Sequence, residues 1–298
     1  MSRFFIDNEF PLAATQLSLA MFGIGATLSA ADFRKLFKTP RSLFLGLAIQ
    51  MLIAVGVALL LVRTGLVAPA VLSGLLLCAL APGGSASNVF THVAGGNTVL
   101  SISITILTSF AALLTMPLFG GLVRGAAAGD FHMPAGRLFS EIVMFLFLPM
   151  MFGMAFNHLY PRPSPAVSSW CIRLSLLVIL LMIAGALGSG RMDLHAFGAR
   201  NILTVLLFMA VHIGAGLAIM IALGISRPNM IAICMETAVR NGSLALLVKA
   251  SLFPSGSGQG PDLTLFTVLL YTGLQSPIAL LVTYVGRRSG ASLAKQPA

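Results

Sequence analysis

The sequence predicts an all-α protein embedded in a membrane, with about nine transmembrane helices and two of them broken partway across. Three observations predict this. Of 298 residues, 57% are hydrophobic and only 9% charged, against roughly 25% charged in a soluble domain. The mean hydropathy of +0.97 is spread along the whole chain, and at about 20 residues per crossing that length holds roughly nine or ten helices. The apolar runs are long and Gly-rich with no alternation of polar and apolar residues, which favours a helical bundle over a barrel.

Bounded by charges, Pro or Gly, the runs fall at 11–30, 42–62, 67–93, 97–123, 136–159, 167–188, 200–224, 228–252 and 263–286. The third is interrupted by Pro82-Gly83-Gly84 and the eighth by Arg240-Asn241-Gly242. Ahead of the first run Asp7 and Glu9 make the N-terminus a poor signal peptide, so this run is expected to be retained. The loop after it holds Arg34, Lys35, Lys38 and Arg41 and is assigned to the cytoplasm by the positive-inside rule. The N-terminus is then outside and the C-terminus inside. Counted this way, ten basic residues lie inside and seven outside, with Arg240 left within the membrane.

The net charge of +10 would suggest nucleic acid for a soluble protein, but here it is read as cytoplasmic loops. With no lysine-rich block, zinc-ligand cluster or phosphate loop, catalysis and nucleic-acid binding are not expected. Cys78, Cys171 and Cys234 lie in apolar stretches and read as small buried hydrophobes.

At the first break Pro82 lacks an amide hydrogen and would leave the carbonyl of Cys78 unpaired. Gly83 and Gly84 let the chain unwind, and Ser85, Ser87 and Asn88 offer N-cap side chains. Lipid cannot satisfy freed backbone groups, so such a break must be buried in protein or line a watery cavity. A proline kink packed for shape is the plainer reading; the dense polar set that follows argues for a site.

Ser101, Thr105 and Thr108 stand at i, i+4 and i+7 on one face of the fourth run. Alone, that stripe is more often a helix-packing surface. Gln50 in the second run and Glu236 in the eighth change the balance. A carboxylate at that depth costs a few kcal/mol unless paired or hydrated, so an intramembrane acid points to function. Glu236 and Arg240 stand four apart, a spacing that on a continuous helix permits a direct ion pair. Such a pair would lock the helix, and it is compatible with a functional role. The two breaks lie about half a chain apart, as in the paired interrupted helices of inverted-repeat transporters. Crossing at mid-membrane, they would offer carbonyls and acids to a cation and helix N-termini to an anion. The ringed filter of a channel is not in evidence.

At these residues the chain resembles the bile acid:sodium symporter family. GIGATLSAADFRKLFKTP is similar to its glycine, leucine and Asp-Phe signature, LAPGGSASNVFTHVAGGN to its crossover segment, and METAVRNGSLALL to its Glu-x-x-x-x-Asn segment. The resemblance implies a panel domain and a core domain built from two inverted repeats, with two broken helices crossing in the core. Only one apolar run precedes ADFRKLF, so the chain resembles the nine-helix members. Residues 11–123 would form a first repeat lacking one helix, 136–286 the second, and 287–298 a cytoplasmic tail of a single transporter unit spanning 1–298.

Carried over by match, a first sodium site would comprise Ser87, Asn88, Ser101, Thr105 and Glu236. A second would use Gln50, Glu236 and backbone near Thr237 and Val239, but Arg240 stands where relatives carry glutamine, placing a fixed positive charge where an ion should bind. Substrate contacts would lie near Ser85 and Asn241. His212 is followed by Ile213 where many relatives have His-Asn, and reads as either a packed histidine or a ligand group. Arsenite exporters of related fold place a cysteine directly after the proline, where this chain has Gly83.

The expected function is sodium-coupled symport of an organic anion, bile-acid-like or a small carboxylate, by alternating access in a bacterial inner membrane. No cofactor is expected; sodium is the coupling ion, and the partners are sodium, the anion and membrane lipid. Proton-coupled or uncoupled carriage by the same fold is the alternative, and a non-transporting ligand receptor a more distant one.

Overall fold

The structure, a computed structural model of the chain, describes residues 2–34, 38–126, 135–253 and 260–293. In chain order the helices are α1 (Ser2–Gly25), the short α2 (Ala30–Arg34), α3 (Pro40–Thr64), α4 (Pro69–Leu80), α5 (Ser85–Val93), α6 (Thr98–Ala126), α7 (Ala135–Leu159), α8 (Ser164–Gly188), α9 (Leu194–Ala222), α10 (Arg227–Ala238), α11 (Gly242–Leu252) and α12 (Leu263–Leu293). Within the described residues six helices are long and apolar enough to cross a membrane: α3, α6, α7, α8, α9 and α12. This is a polytopic membrane protein.

Several boundaries differ from the sequence reading. α1 begins at Ser2 rather than near residue 11, bends at Asn8, and carries Pro11 inside. Glu9 therefore sits within a helix and is buried, a placement excluded by hydropathy alone and made possible by partners on other segments. α9 starts at Leu194, capped by the side chain of Asp193, and absorbs a left-handed Gly198 (φ 75°) where only glycine is unstrained. α12 continues to Leu293, past the expected end near 286. Lys35 and Lys295 lie outside the described residues.

Both broken segments interrupt where expected, between Leu80 and Ser85 and between Ala238 and Gly242. Two other helices carry a single widened turn: Ile49–Ile53 inside α3 and Val143–Phe147 inside α7. Such insertions recur at functional sites, and the first contains Gln50.

α1 lies along α8 and α7, while α3 to α6 and α9 to α12 gather around the two breaks. The largest apolar core runs through both groups, including Leu17, Leu75, Leu76, Leu146, Leu247 and Tyr271. Long apolar side chains such as Leu60, Leu118, Leu180 and Leu280 face outward, the reverse of a soluble surface and as expected for a lipid-facing one.

Candidate functional site

The site is the crossing of the two breaks. Gly83 and Arg240 pair as a minimal antiparallel bridge. The Gly84 amide donates to the Val239 carbonyl (2.8 Å), and the Asn241 amide to the Pro82 carbonyl (2.8 Å). Each break thus satisfies the backbone of the other, which is how irregular chain is tolerated at membrane depth. Close approach explains the glycines. A Cβ on Gly83 would collide with the Glu236 carboxylate, and one on Gly84 would lie 2.9 Å from the Arg240 carbonyl oxygen.

Glu236, fully buried at the end of α10, projects into this crossing. Its Oε1 accepts hydrogen bonds from Ser87 Oγ and from Ser101 Oγ (2.5 Å), and its Oε2 accepts from Thr105 Oγ1 (2.8 Å). Hydrogen bonds to a charged group contribute about 1.5–3 kcal/mol each. Together they offset part of the several kcal/mol it costs to bury a carboxylate. Asn88 Oδ1 lies 2.8 Å from Ser101 Oγ and 3.4 Å from Thr105 Oγ1, sharing with the carboxylate the single proton of each hydroxyl. Five side-chain oxygen donors from α5, α6 and α10 therefore share one buried cluster, with Thr91 Oγ1 adjoining at 3.2 Å from Ser101 Oγ.

Four expectations need correction. Glu236 and Arg240 make no ion pair: among the described residues such pairs link Arg137 to Glu141, Arg191 to Glu9 and Asp262, and Lys249 to Glu9 and Asp262. The i, i+4 spacing is not realised on a helix because α10 ends at Ala238, two residues before the arginine. Ser87 and Asn88 do not cap α5. Its N-cap is Gly84 without a side-chain cap bond, Ser87 Oγ shares its one proton between the Gly84 carbonyl (2.6 Å) and Glu236, and the Ser85 side chain lies outside what is described. Thr108 does not reach the cluster, since its hydroxyl bonds back to the Ile104 carbonyl of its own helix (2.8 Å). Thr237 and Val239 carbonyls are already engaged, by Arg240 and by Gly84.

Arg240 is buried and donates to four main-chain carbonyls: Thr237 from Nε (3.0 Å), Gln50 from Nη2 (2.7 Å), and Ala81 (3.1 Å) and Ala79 (3.4 Å) from Nη1. These oxygens come from α10, the widened turn of α3, the last turn of α4 and the first break. The guanidinium occupies a carbonyl cage. Its own amide is held by Gln275 Oε1 (2.9 Å) on α12, a residue the sequence reading missed although an isolated amide in an apolar run was a usable signal. The Gln50 side chain is fully buried with neither amide atom hydrogen-bonded, so Gln50 meets the arginine through its backbone and not through its amide.

Asn241 caps α11, accepting from the Leu244 amide (3.1 Å). With Asn88, Thr105 and Gly83 it faces α1 and α7 across a cavity of about 10 Å³, room for about one water. His212 is packed: Nδ1 lies 2.6 Å from the Phe208 carbonyl and Nε2 3.4 Å from that of Thr237.

The sequence profile of the sodium bile acid symporter family matches residues 14–192. The chain belongs to this family. Its members are transporters, and the protein is not an enzyme. An uncharacterised sodium-dependent transporter of Bacillus subtilis is 27% identical over 242 residues, covering 80% of this chain and 73% of the relative. A probable chloroplastic sodium/metabolite cotransporter of rice is 26% identical over 247 residues, 82% of this chain and 58% of the relative. A rat protein named sodium/bile acid cotransporter 5 is 22% identical over 284 residues, 95% of this chain and 65% of the relative. Against these last two, the chain aligns with less than two thirds of the relative's length.

Proposed function

We propose that the protein is a sodium-coupled symporter of an organic anion, and that Glu236, Ser87, Asn88, Ser101 and Thr105 bind the coupling ion. The observation that carries this is the buried cluster of five oxygen donors from three helices around one carboxylate. Sodium is a hard cation and takes oxygen ligands. On its arrival the three hydroxyl hydrogens would rotate away, turning their lone pairs and the carboxylate toward the ion. Sodium is cargo here, loaded and released in each cycle. The names of the relatives, which are sodium-dependent transporters and cotransporters, agree with this reading.

Arg240 takes the place of a second ion. Its guanidinium collects the carbonyls of Gln50, Thr237, Ala79 and Ala81, the coordination a cation would otherwise draw from the region of Gln50, Thr237 and Val239. A second free cation about 4 Å away would be repelled by about 4 kcal/mol at an effective dielectric of 20. One sodium per cycle follows.

The anion, bile-acid-like or a small carboxylate, would meet the N-termini of α5 and α11 near Ser85 and Asn241, where helix dipoles favour negative charge. In this reading the chain crosses a bacterial inner membrane nine times, N-terminus outside and C-terminus in the cytoplasm. Residues 11–123 and 136–286 form inverted repeats, and α1, α7 and α8 form a panel against which the remaining helices rock to alternate access.

Thermal unfolding of the purified protein in sodium chloride against potassium chloride tests the ion site. A ligand that binds only the folded state at 100 times its Kd adds about 2.7 kcal/mol, so sodium should raise Tm and Glu236→Gln should abolish the rise. An equal sodium-dependent rise in a folded Glu236→Gln variant would overturn the assignment.

A further inference from the structure

Away from the crossing, four charged side chains close a ring. Lys249 Nζ lies 2.6 Å from Glu9 Oε1 and 2.6 Å from Asp262 Oδ2. Arg191 Nη1 lies 2.6 Å from Glu9 Oε2, and Nη2 pairs with Asp262 Oδ2. Two acids and two bases make the ring neutral, and Glu9 and Lys249 are buried. Glu9 belongs to α1, and Arg191 follows α8, its amide bonded to the Ala186 carbonyl (3.0 Å). Lys249 belongs to α11, and Asp262 caps α12 by accepting from the Leu265 amide (2.9 Å).

The ring therefore straddles the seam between α1 with α8 and α11 with α12. Two of its pairs, Glu9 with Lys249 and Arg191 with Asp262, cross the seam. The other two, Glu9 with Arg191 and Lys249 with Asp262, lie within one side each. Parting the seam would leave every charge with an opposite partner on its own side. That matters because a buried ion stripped of its only partner is strongly unfavourable, whereas an exchange that keeps each charge paired is not. The same seam is bridged by the Asp262 amide donating to the Arg191 carbonyl (2.8 Å) and, further along α11, by Gln16 Nε2 donating to Ser243 Oγ (2.8 Å). Beyond Ser243, toward the crossing, lies the cavity of about 10 Å³ beside Asn88, Thr105 and Asn241.

We infer that the Glu9, Arg191, Lys249, Asp262 ring is a charge latch that seals the seam between α1/α8 and α11/α12 on the side where α1 begins, and that its two self-neutral halves are what let it reopen. The inference rests on the alternating-access reading above, in which this seam must part once per cycle. It assigns to these four residues a part in gating, separate from the ion site.

The paired substitution Glu9→Arg with Arg191→Glu keeps an opposite-charge pair on its own side but sets like charges against Lys249 and Asp262. Adding Lys249→Glu with Asp262→Lys restores attraction across the seam. Ser243→Cys, with Cys171→Ser to remove the half-buried native thiol, reports opening through its rate of modification by a membrane-impermeant methanethiosulfonate. The two-residue reversal should raise that rate about tenfold, and the four-residue reversal should return it to the starting value. Should the two-residue reversal fail to fold, the mirror reversal Lys249→Glu with Asp262→Lys keeps the opposite-charge pair on its own side, sets the same like charges against Glu9 and Arg191, and should raise the rate likewise. Equal labelling rates in all folded variants would overturn the latch. Labelling needs no substrate, so a responsive latch without sodium-driven stabilisation would sink the symport reading and leave the latch standing.

Discussion

Glu236 and Arg240 stand four residues apart in one segment, are both buried, and do not form an ion pair. The carboxylate turns to the hydroxyls of Ser87, Ser101 and Thr105, and the guanidinium to the carbonyls of Gln50, Thr237, Ala79 and Ala81. Because α10 ends between them, the chain separates an anionic oxygen cluster from a filled carbonyl cage. In the proposed reading, that separation leaves Glu236 to the coupling ion while the guanidinium fills the neighbouring place.

Arg240→Gln should therefore free the carbonyl cage for a second sodium. In the parent protein the sodium dependence of thermal stabilisation is expected to be hyperbolic; in the variant it should steepen toward two ions, with little change in potassium. A parent that already responds to two sodium ions, with the variant unchanged, would refute the tethered-cation role. Arg240→Ala instead removes the donor these carbonyls share, and at about 1–3 kcal/mol for a buried group left unsatisfied it should unfold several degrees lower.

Gly83→Ala tests the close approach at the crossing. The added methyl would run into the Glu236 carboxylate, so either the carboxylate leaves its hydroxyls or the bridge to Arg240 separates. Overpacking of this kind costs about 1–3 kcal/mol. The expected outcome is a lower Tm together with loss of the sodium-dependent rise. A variant of parental stability that still responds to sodium would mean that the crossing is looser than described.

Acid should release the latch through Asp262. Burial pushes its carboxyl up, but Lys249, the Leu265 amide and Arg191 outweigh this and hold it below the usual carboxylate range. A depressed pKa in the folded state contributes stability above the unfolded value of about 3.9, and that contribution is lost as pH falls through the folded value. Thermal unfolding of the parent and of Asp262→Asn should thus differ most at neutral pH and converge below about pH 4. A difference that stays constant down to pH 3 would show that Asp262 carries no such linkage.

Much of the site was legible in the chain itself. The two breaks, the hydroxyls of Ser101 and Thr105 one turn apart, and the isolated Glu236 follow from composition and period. In lipid an acid or an interrupted helix must find partners, so its mere presence at that depth carries information. Sequence spacing failed where it assumed a continuous helix, as for Glu236 with Arg240, and where one face was taken to point one way, as for Thr108. The buried ring of Glu9, Arg191, Lys249 and Asp262 was not legible at all. Its members are spread from residue 9 to residue 262, and each alone resembles an ordinary loop or interface charge.

The sequence by itself thus determined membrane residence, the positions of the two breaks and the oxygen-rich face, because burial in lipid imposes length, apolarity and backbone satisfaction segment by segment. Only the tertiary structure decided which oxygens surround Glu236, that Arg240 answers to carbonyls rather than to the acid, and that Glu9 lies inside a helix. Those outcomes depend on electrostatic and hydrogen-bonding partners brought together from distant segments, where packing of the whole bundle, rather than local spacing, sets the distances.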